Sequence, residues 1–309
     1  MVGLMAAPVL EAVGISKRFP GVHALDDVSL DVLPGEVHAF VGENGAGKST
    51  LMKILAGAQG PDSGEIRIDG EAVTIEDPRV AQKLGISIIY QELSLVDALS
   101  VGENVFLGDL PTRPGGDWRV DWPAVWERSA GILERVGLRI RPQTLVRNLS
   151  VAQRQMVEIA RALARNVRVL ILDEPTSSLS ERETEKLFEI IAGLRERGVG
   201  IVYISHRLGE VFRIAQRVTV LRDGKVVGTL PVGEASEELL VRMMVGRDLD
   251  HLFTQARLTD APVRLEVRGL ARRGVLHDVD LTVRGGEIVG LAGLMGAGRT
   301  ELARCVFGA

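Results

Sequence analysis

One cysteine in 309 residues, Cys305, excludes an internal disulfide and any cysteine-built metal cluster, and fits a reducing compartment. Aromatic residues are scarce at 4%, although an apolar fraction of 46% is ample for a core. The balance of 37 Lys and Arg against 41 Asp and Glu leaves a net charge of −4. That offers neither a basic field for nucleic acid nor a polybasic membrane anchor. No Lys or Arg precedes Lys17, so residues 1–10, though partly apolar, make a poor secretory signal. The longest apolar stretch, residues 288–298, is laced with glycine and too short to span a bilayer. Any membrane role is therefore expected to come through a partner. The length allows two domains, or one large domain and a piece of another.

Against these absences stands one dense motif, Gly42-Glu43-Asn44-Gly45-Ala46-Gly47-Lys48-Ser49-Thr50. It fits the phosphate-binding pattern G-x-x-x-x-G-K-[ST] and has the context that pattern needs. Residues 37–41 read as a buried strand before it, and residues 51–56 as a short helix after it, stopped by Gly57. Glycines let successive backbone N–H groups turn inward on a phosphate, and the helix start adds unpaired donors and its positive dipole end. Lys48 is placed to reach the β- and γ-phosphates and Ser49 to ligate Mg²⁺, so the segment predicts binding of a nucleoside triphosphate.

Residues 9–15 and 25–32 alternate as strands of a half-exposed sheet, and residues 65–68 and 85–89 read as further strands around a short helix, 77–84. From about Glu92 to Arg165 the character changes: Trp118, Trp122 and Trp126 appear, with a Pro/Gly break over 111–116. Helices are predicted over 122–136 and 153–164, the second with Met156, Ile159, Ala160 and Leu163 on one stripe, together a helical insert on the main sheet. Residues 167–172 form a continuous apolar strand. Ser180 and Glu183 then give a capping-box signal for a helix with Leu187, Ile190, Ile191 and Leu194 inward, closed by Gly198. A central strand over 199–204, a hairpin of 217–222 and 225–230 around Asp223-Gly224, and a helix over 236–245 complete the unit.

Residues 27–58 align without gaps onto residues 278–309, with 13 of 32 positions identical. A repeat of about 250 residues means domain duplication rather than a solenoid. The expected organisation is a first domain over 1–246 with its helical part at about 92–165, a polar linker over 247–262, and the start of a second copy over 263–309. The second copy holds too few strands for a core of its own, so the chain is expected to be a truncated piece of a longer tandem protein.

Asp173 and Glu174 end the apolar strand, on the side of an open α/β sheet where ligands bind. Asp173 is expected to hold Mg²⁺ and Glu174 to polarise the attacking water as general base. Upstream, Leu149-Ser150-Val151-Ala152-Gln153 leads into a helix with Ser150 at the N-cap.

Loop, double acid and this pentapeptide together resemble the ATP-binding subunits of ABC transporters, completely over residues 9–246 and partially over 263–309. The family's signature has two glycines where this chain has Val151 and Ala152. That variant, with Phe19-Pro20-Gly21-Val22 and Gly293-Leu294-Met295-Gly296-Ala297-Gly298-Arg299, is similar to the tandem ATPases of simple-sugar importers of the ribose, galactose, xylose and arabinose type. The resemblance implies an α/β fold, a P-loop NTPase ABC ATPase domain with a mixed sheet core, an antiparallel β subdomain and a helical subdomain. It implies ATP and Mg²⁺ as ligands, and integral-membrane permease subunits as partners at the cytoplasmic face of the bacterial cell membrane. A periplasmic or extracellular sugar-binding protein is implied indirectly, and nucleic acid is not implied. By the same resemblance Phe19 stacks on adenine, Gln91 touches Mg²⁺ and senses the permease, and His206 orients water and γ-phosphate. Leu93, Leu95, Val96 and Leu99 are candidates for the groove that receives a permease helix. Ser180 stands where the family normally has Asp.

In such proteins each ATP is held between one domain's loop and the other's signature. The Val151-Ala152 signature is therefore expected to face the second loop, Gly293, Gly296, Gly298, Arg299 and Thr300, where Arg299 replaces Lys. Both departures fall in one composite site. One vigorous site on Lys48 and Glu174 and one impaired site are expected, and the chain by itself should bind Mg-ATP but hydrolyse it slowly unless two copies pair. The alternative reading is a soluble tandem ATPase acting on ribosomes or DNA, against which the linker, with Arg247 and Arg257 facing Asp248, Asp250 and Asp260, is not basic.

Overall fold

Apolar runs bounded by turn residues dictate the first unit. In the computed structural model, which describes residues 7–91, 93–113, 118–246, 261–293 and 296–308, the chain divides into two units, Met1–Arg247 and Asp248–Ala309. The first unit begins with a long hairpin, β1 (Leu10–Phe19) and β2 (Val22–Val32), then β3 (Val37–Val41) and α1 (Lys48–Leu55). There follow β4 (Ser63–Ile68), β5 (Glu71–Val73), α2 (Pro78–Lys83) and β6 (Ile86–Ile89). The helical part contains α3 (Val101–Val105), α4 (Trp122–Arg135) and α5 (Val151–Leu163). The remainder is β7 (Val169–Asp173), α6 (Glu181–Glu196), β8 (Gly200–Ile204), α7 (Leu208–Ile214), β9 (Arg217–Arg222), β10 (Lys225–Pro231) and α8 (Glu237–Val245).

The strands make two sheets. An antiparallel one has the order β2-β1-β4-β5; a six-stranded one has the order β10-β9-β3-β8-β7-β6, parallel except for β10 at its edge. Side chains alternate across the larger sheet. Val37, Ala39, Leu170, Leu172, Ile201 and Tyr203 enter one core with α5 and α6, while Phe40, Val169, Ile171, Val202 and Ile204 enter a second with α1 and the antiparallel sheet. Each fully buried aliphatic side chain contributes about 1.5–3 kcal/mol, so burial on both faces fixes β3, β7 and β8 firmly. Arg217 ties β9 to the approach to β3, bonding Glu36 at 2.5 and 2.9 Å and Asp31 at 2.8 and 3.1 Å.

Where the elements differ from expectation, the reasons are local. β1 runs on to Phe19 rather than stopping at residue 15, because register shifts near Gly14, at φ +64°, break the alternation that marks a strand. α5 begins at Val151, two residues early, because the side chain and backbone of Ser150 and Gln153 form a reciprocal cap. α3 and α7 span only five and seven residues, and β5 three, too few for a period to register. The residue Glu92, positions 114–116 of the Pro/Gly break predicted over 111–116, the linker charges at 247–260, and Leu294 with Met295 lie outside the described residues.

The second unit contains β11 (Val263–Arg272), β12 (Leu276–Arg284) and α9 (Arg299–Phe307). It repeats hydrogen bonds of the first unit at equivalent positions. Gly14 N donates to Ser29 Oγ and Gly269 N to Asp280 Oδ1; Leu33 N donates to Glu36 Oε2 and Arg284 N to Glu287 Oε2. Asp27 and Asp278 share a left-handed backbone, at φ 54° and 48°. Yet residues 288–292, the counterparts of β3, form no strand, and Ile288 is 97% exposed. β3 is paired on one side by β8 and on the other by β9, and the described part of the second unit has neither counterpart.

Candidate functional site

The loop between β3 and α1 is curled by glycine and walled by backbone. A Cβ at Gly42 would stand 2.3 Å from Leu221 O, and one at Gly47, φ +103°, 2.5 Å from Ala24 O. The turn between β9 and β10, with Asp223 and Gly224 both at positive φ, braces the loop: Gly224 N donates to Ala46 O at 3.2 Å. Glu43, Asn44, Gly45 and Ser49 are exposed, Thr50 half-buried, and Ala46 buried. Lys48 opens α1 and is itself buried, with Nζ donating to Gly42 O at 2.6 Å and Glu43 O at 2.9 Å. Its ammonium thus sits in the concavity of its own loop.

Burial holds the Lys48 pKa below its ordinary value, against the opposing pull of the Glu174 and Asp173 carboxylates. Burial raises the Asp173 pKa, the Glu174 charge adds to the rise, and Lys48 and Lys53 oppose it. These mutual effects place Lys48, Asp173 and Glu174 in one electrostatic neighbourhood. Tyr90 joins it, its hydroxyl pushed up by burial and then by Asp173; Gln91 follows Tyr90 in the chain, just past β6, and is exposed. Glu174 adopts φ +47°, a backbone that a non-glycine residue holds only when its surroundings impose it. Its Oε1 lies 3.1 Å from Nδ1 of the exposed His206, and its N–H donates to Ile204 O at 3.0 Å.

The residues present fit a magnesium-bound polyphosphate: a loop whose walls exclude a side chain at Gly42 and Gly47, the Lys48 ammonium within it, a hydroxyl at the helix start, and the Asp173 and Glu174 carboxylates near enough to act on Lys48. Among the described residues no three His, Cys, Asp or Glu cluster as a metal centre.

Other predicted residues lie apart from the loop. Leu149, Ser150, Val151, Ala152 and Gln153 surround the start of α5, where Ser150 and Gln153 bond each other and Val151 is 48% exposed. Ser150, Ala152 and Gln153 line a cleft of about 840 Å³ with residues of α4 and α6. Phe19, 41% exposed, pairs with Val22 at the tip of the first hairpin. Leu93, Leu95 and Leu99 are half-buried and Val96 exposed, with Leu95 packed on the core. In the second unit Gly296 and Gly298, at φ 82° and 85°, repeat Gly45 and Gly47, at 86° and 103°. Arg299 and Thr300, though, are exposed where Lys48 is buried.

Sequence reasoning missed two features. The β9–β10 hairpin was predicted from its Asp-Gly pair, but not the bond by which its turn braces Ala46. The other is a buried carboxylate, Glu210, bonded to Thr176, Tyr203, Ser205 and Arg207. Its signal was its position four residues after His206, on a helix too short to anticipate.

The family model described as ABC transporter matches residues 25–177. A ribose import ATP-binding protein of Rubrobacter xylanophilus is 58% identical over 97% of this chain and 60% of its own length. A putative ribose/galactose/methyl galactoside import ATP-binding protein of Burkholderia ambifaria is 56% identical over 98% of this chain and 59% of its own. The chain therefore spans about 60% of the length of these relatives. Among solved structures, an ATP-binding cassette of an ABC transporter in its ADP conformation superposes with TM-score 0.66 at 26% identity, over 77% of this chain and 95% of that one. A dimeric cassette in a post-hydrolysis state, bound to ADP and Pi, gives 0.62 at 26% identity over 72% and 98%.

Proposed function

The chain belongs to the ABC transporter family, and on that ground we propose that it is the ATP-hydrolysing subunit of a simple-sugar importer. The observation that carries the reading is Lys48, buried in its glycine-curled loop and under the charges of Asp173 and Glu174, with Glu174 bonded to His206. The relatives named for ribose and galactoside import support the substrate class.

In this reading the amides of Gly42, Glu43, Asn44, Gly45, Ala46 and Gly47 and the Lys48 ammonium hold the polyphosphate, Ser49, Gln91 and Asp173 hold Mg²⁺, and Thr50 lies beside them. Bound Mg²⁺ supplies charge neutralisation at the phosphates. Glu174 accepts the proton of the attacking water, and His206, held on Glu174, orients that water toward the γ-phosphate. Phe19 offers the adenine a stacking face. Ser150, exposed at the start of α5, presents a helix N-terminus to the ATP of the opposite domain. That opposite domain is a completed second unit or a second copy of this chain.

The partners are permease subunits in the membrane and, through them, an external sugar-binding protein, with this subunit peripheral on the cytoplasmic face. No helix among the described residues is long and apolar enough to cross a membrane. Single-turnover hydrolysis by wild type and Glu174→Gln tests the chemistry: the variant should keep Mg-ATP and lose turnover. Co-sedimentation of the tagged protein with membrane vesicles carrying its permease, against ribosomes, tests the coupling. Capture by ribosomes alone contradicts it.

A further inference from the structure

α7 starts two residues after His206, and its first turn carries Glu210, a residue only 9% exposed. Four side chains from two stretches, Thr176 on one and Tyr203, Ser205 and Arg207 on the other, converge on this carboxylate. Thr176 Oγ1 donates at 2.8 and 2.9 Å, Tyr203 Oη at 2.8 Å, Ser205 Oγ at 3.1 Å and Arg207 Nη1 at 3.3 Å. Burial, reinforced by the Glu210 charge, pushes the Tyr203 hydroxyl far up, so it remains a donor. A buried carboxylate is tolerated only when its lone pairs are satisfied, and this one is.

The positions of the donors matter more than their number. Thr176 follows Glu174 by two residues and is 2% exposed; Ser205 and Arg207 flank His206. Ser205 Oγ also accepts from Arg207 N at 3.0 Å, closing the turn that carries the histidine. His206 itself has a 57% exposed side chain, so packing does not fix its ring. The turn that carries it is tied to the segment after Glu174 through one carboxylate.

We propose that Glu210 is the positioning residue of the hydrolytic pair, holding the His206 turn and the Thr176 segment so that His206 Nδ1 meets Glu174. This rests on the reading of Glu174 and His206 as the pair that readies water. Glu210→Gln keeps the shape but replaces an acceptor oxygen by an amide donor, which cannot receive all of these hydroxyls.

The test uses the full chain with ¹⁵N-labelled histidine, the His206 signals being identified by their loss in His206→Ala. Glu174→Gln defines how far those signals move when the carboxylate partner changes. Glu210→Gln is expected to move them in the same direction, without ATP present. It should also slow single-turnover hydrolysis about tenfold while leaving Mg-ATP affinity within about twofold. In a His206→Ala background it should cost less than about twofold more, since it acts through that histidine. Unmoved His206 signals overturn the proposal. So does an equal loss in the His206→Ala background, or a loss of affinity that matches the loss of rate. If Glu210→Gln does not fold, Ser205→Ala removes one tie at the same turn and carries the same expectations at about threefold. If Glu174→Gln leaves hydrolysis intact, the functional reading fails and this inference falls with it. If Glu174→Gln abolishes hydrolysis and Glu210→Gln changes nothing, this inference alone fails.

Discussion

Replacing Gly47 by alanine separates two costs that the phosphate loop combines. The first is the backbone: Gly45 and Gly47 have φ of 86° and 103°, where an L-residue pays about 1–2 kcal/mol. Alanine returns about 0.4–1 kcal/mol by restricting the unfolded chain, leaving a net cost of about 1 kcal/mol. The second cost is collision. At Gly45 nothing lies within 4 Å of the new methyl, whereas at Gly47 it meets Ala24 O at 2.5 Å and Leu25 Cδ2 at 2.8 Å. Leu25 can shift its side chain; the Ala24 carbonyl can move only with β2. Overpacking of that kind adds about 1–3 kcal/mol, so Gly47→Ala should destabilise by about 2–4 kcal/mol and Gly45→Ala by about 1. Gly298 is the internal control, since its nearest neighbour is a side chain, Leu276 Cδ2 at 3.1 Å. Gly298→Ala should therefore resemble Gly45→Ala. Urea denaturation of the full chain, with Mg-ATP affinity measured on the same samples, reads all three. Equal costs at Gly45 and Gly47 would refute the claim that the wall of the loop, and not its curl alone, demands glycine.

Arg217→Met leaves the buried Glu36 carboxylate without its bidentate partner; a loss of about 2–4 kcal/mol in denaturant is expected, less than for a fully enclosed pair because Asp31 and Arg217 reach solvent. Asp173 holds its proton above the ordinary value of 3.8 mainly because it is buried, with the Glu174 charge adding to the effect. The folded chain then binds more protons than the unfolded one between 3.8 and the raised value, so Asp173 costs stability as pH rises through that window. Asp173→Asn should raise the denaturation midpoint at neutral pH, lose that gain below pH 3.8, and weaken Mg-ATP binding throughout. Ser150→Ala removes the cap of α5 and should cost about 1 kcal/mol of stability in thermal melts.

Much of the site was legible because its parts are local. The loop from Gly42 to Thr50 and the acids at the end of β7 each announce themselves within a few residues of an apolar strand; the histidine after β8 was pointed to by the family resemblance. The large sheet was legible for the same reason, its strands being runs buried on both faces. What stayed hidden depends on contacts distant in sequence. The antiparallel sheet places β4 beside β1, about 50 residues away, through a register broken at Gly14, which no period displays. The Ala46 brace comes from a turn at Gly224, and Glu210 draws donors from Thr176 and Tyr203. The repeat at residues 278–309 was plain in sequence, but the fate of residues 288–292 was not, because a strand needs partners as well as composition.

The account stands most directly on Lys48. Its ammonium, buried in the loop it belongs to, should supply charge-assisted hydrogen bonds worth about 3 kcal/mol or more to a bound polyphosphate. Equilibrium titration of Mg-ATP into the wild-type chain and Lys48→Ala should therefore show affinity falling about 100-fold or more, with the fold intact by circular dichroism. An unchanged affinity would mean that this cradle holds no phosphate.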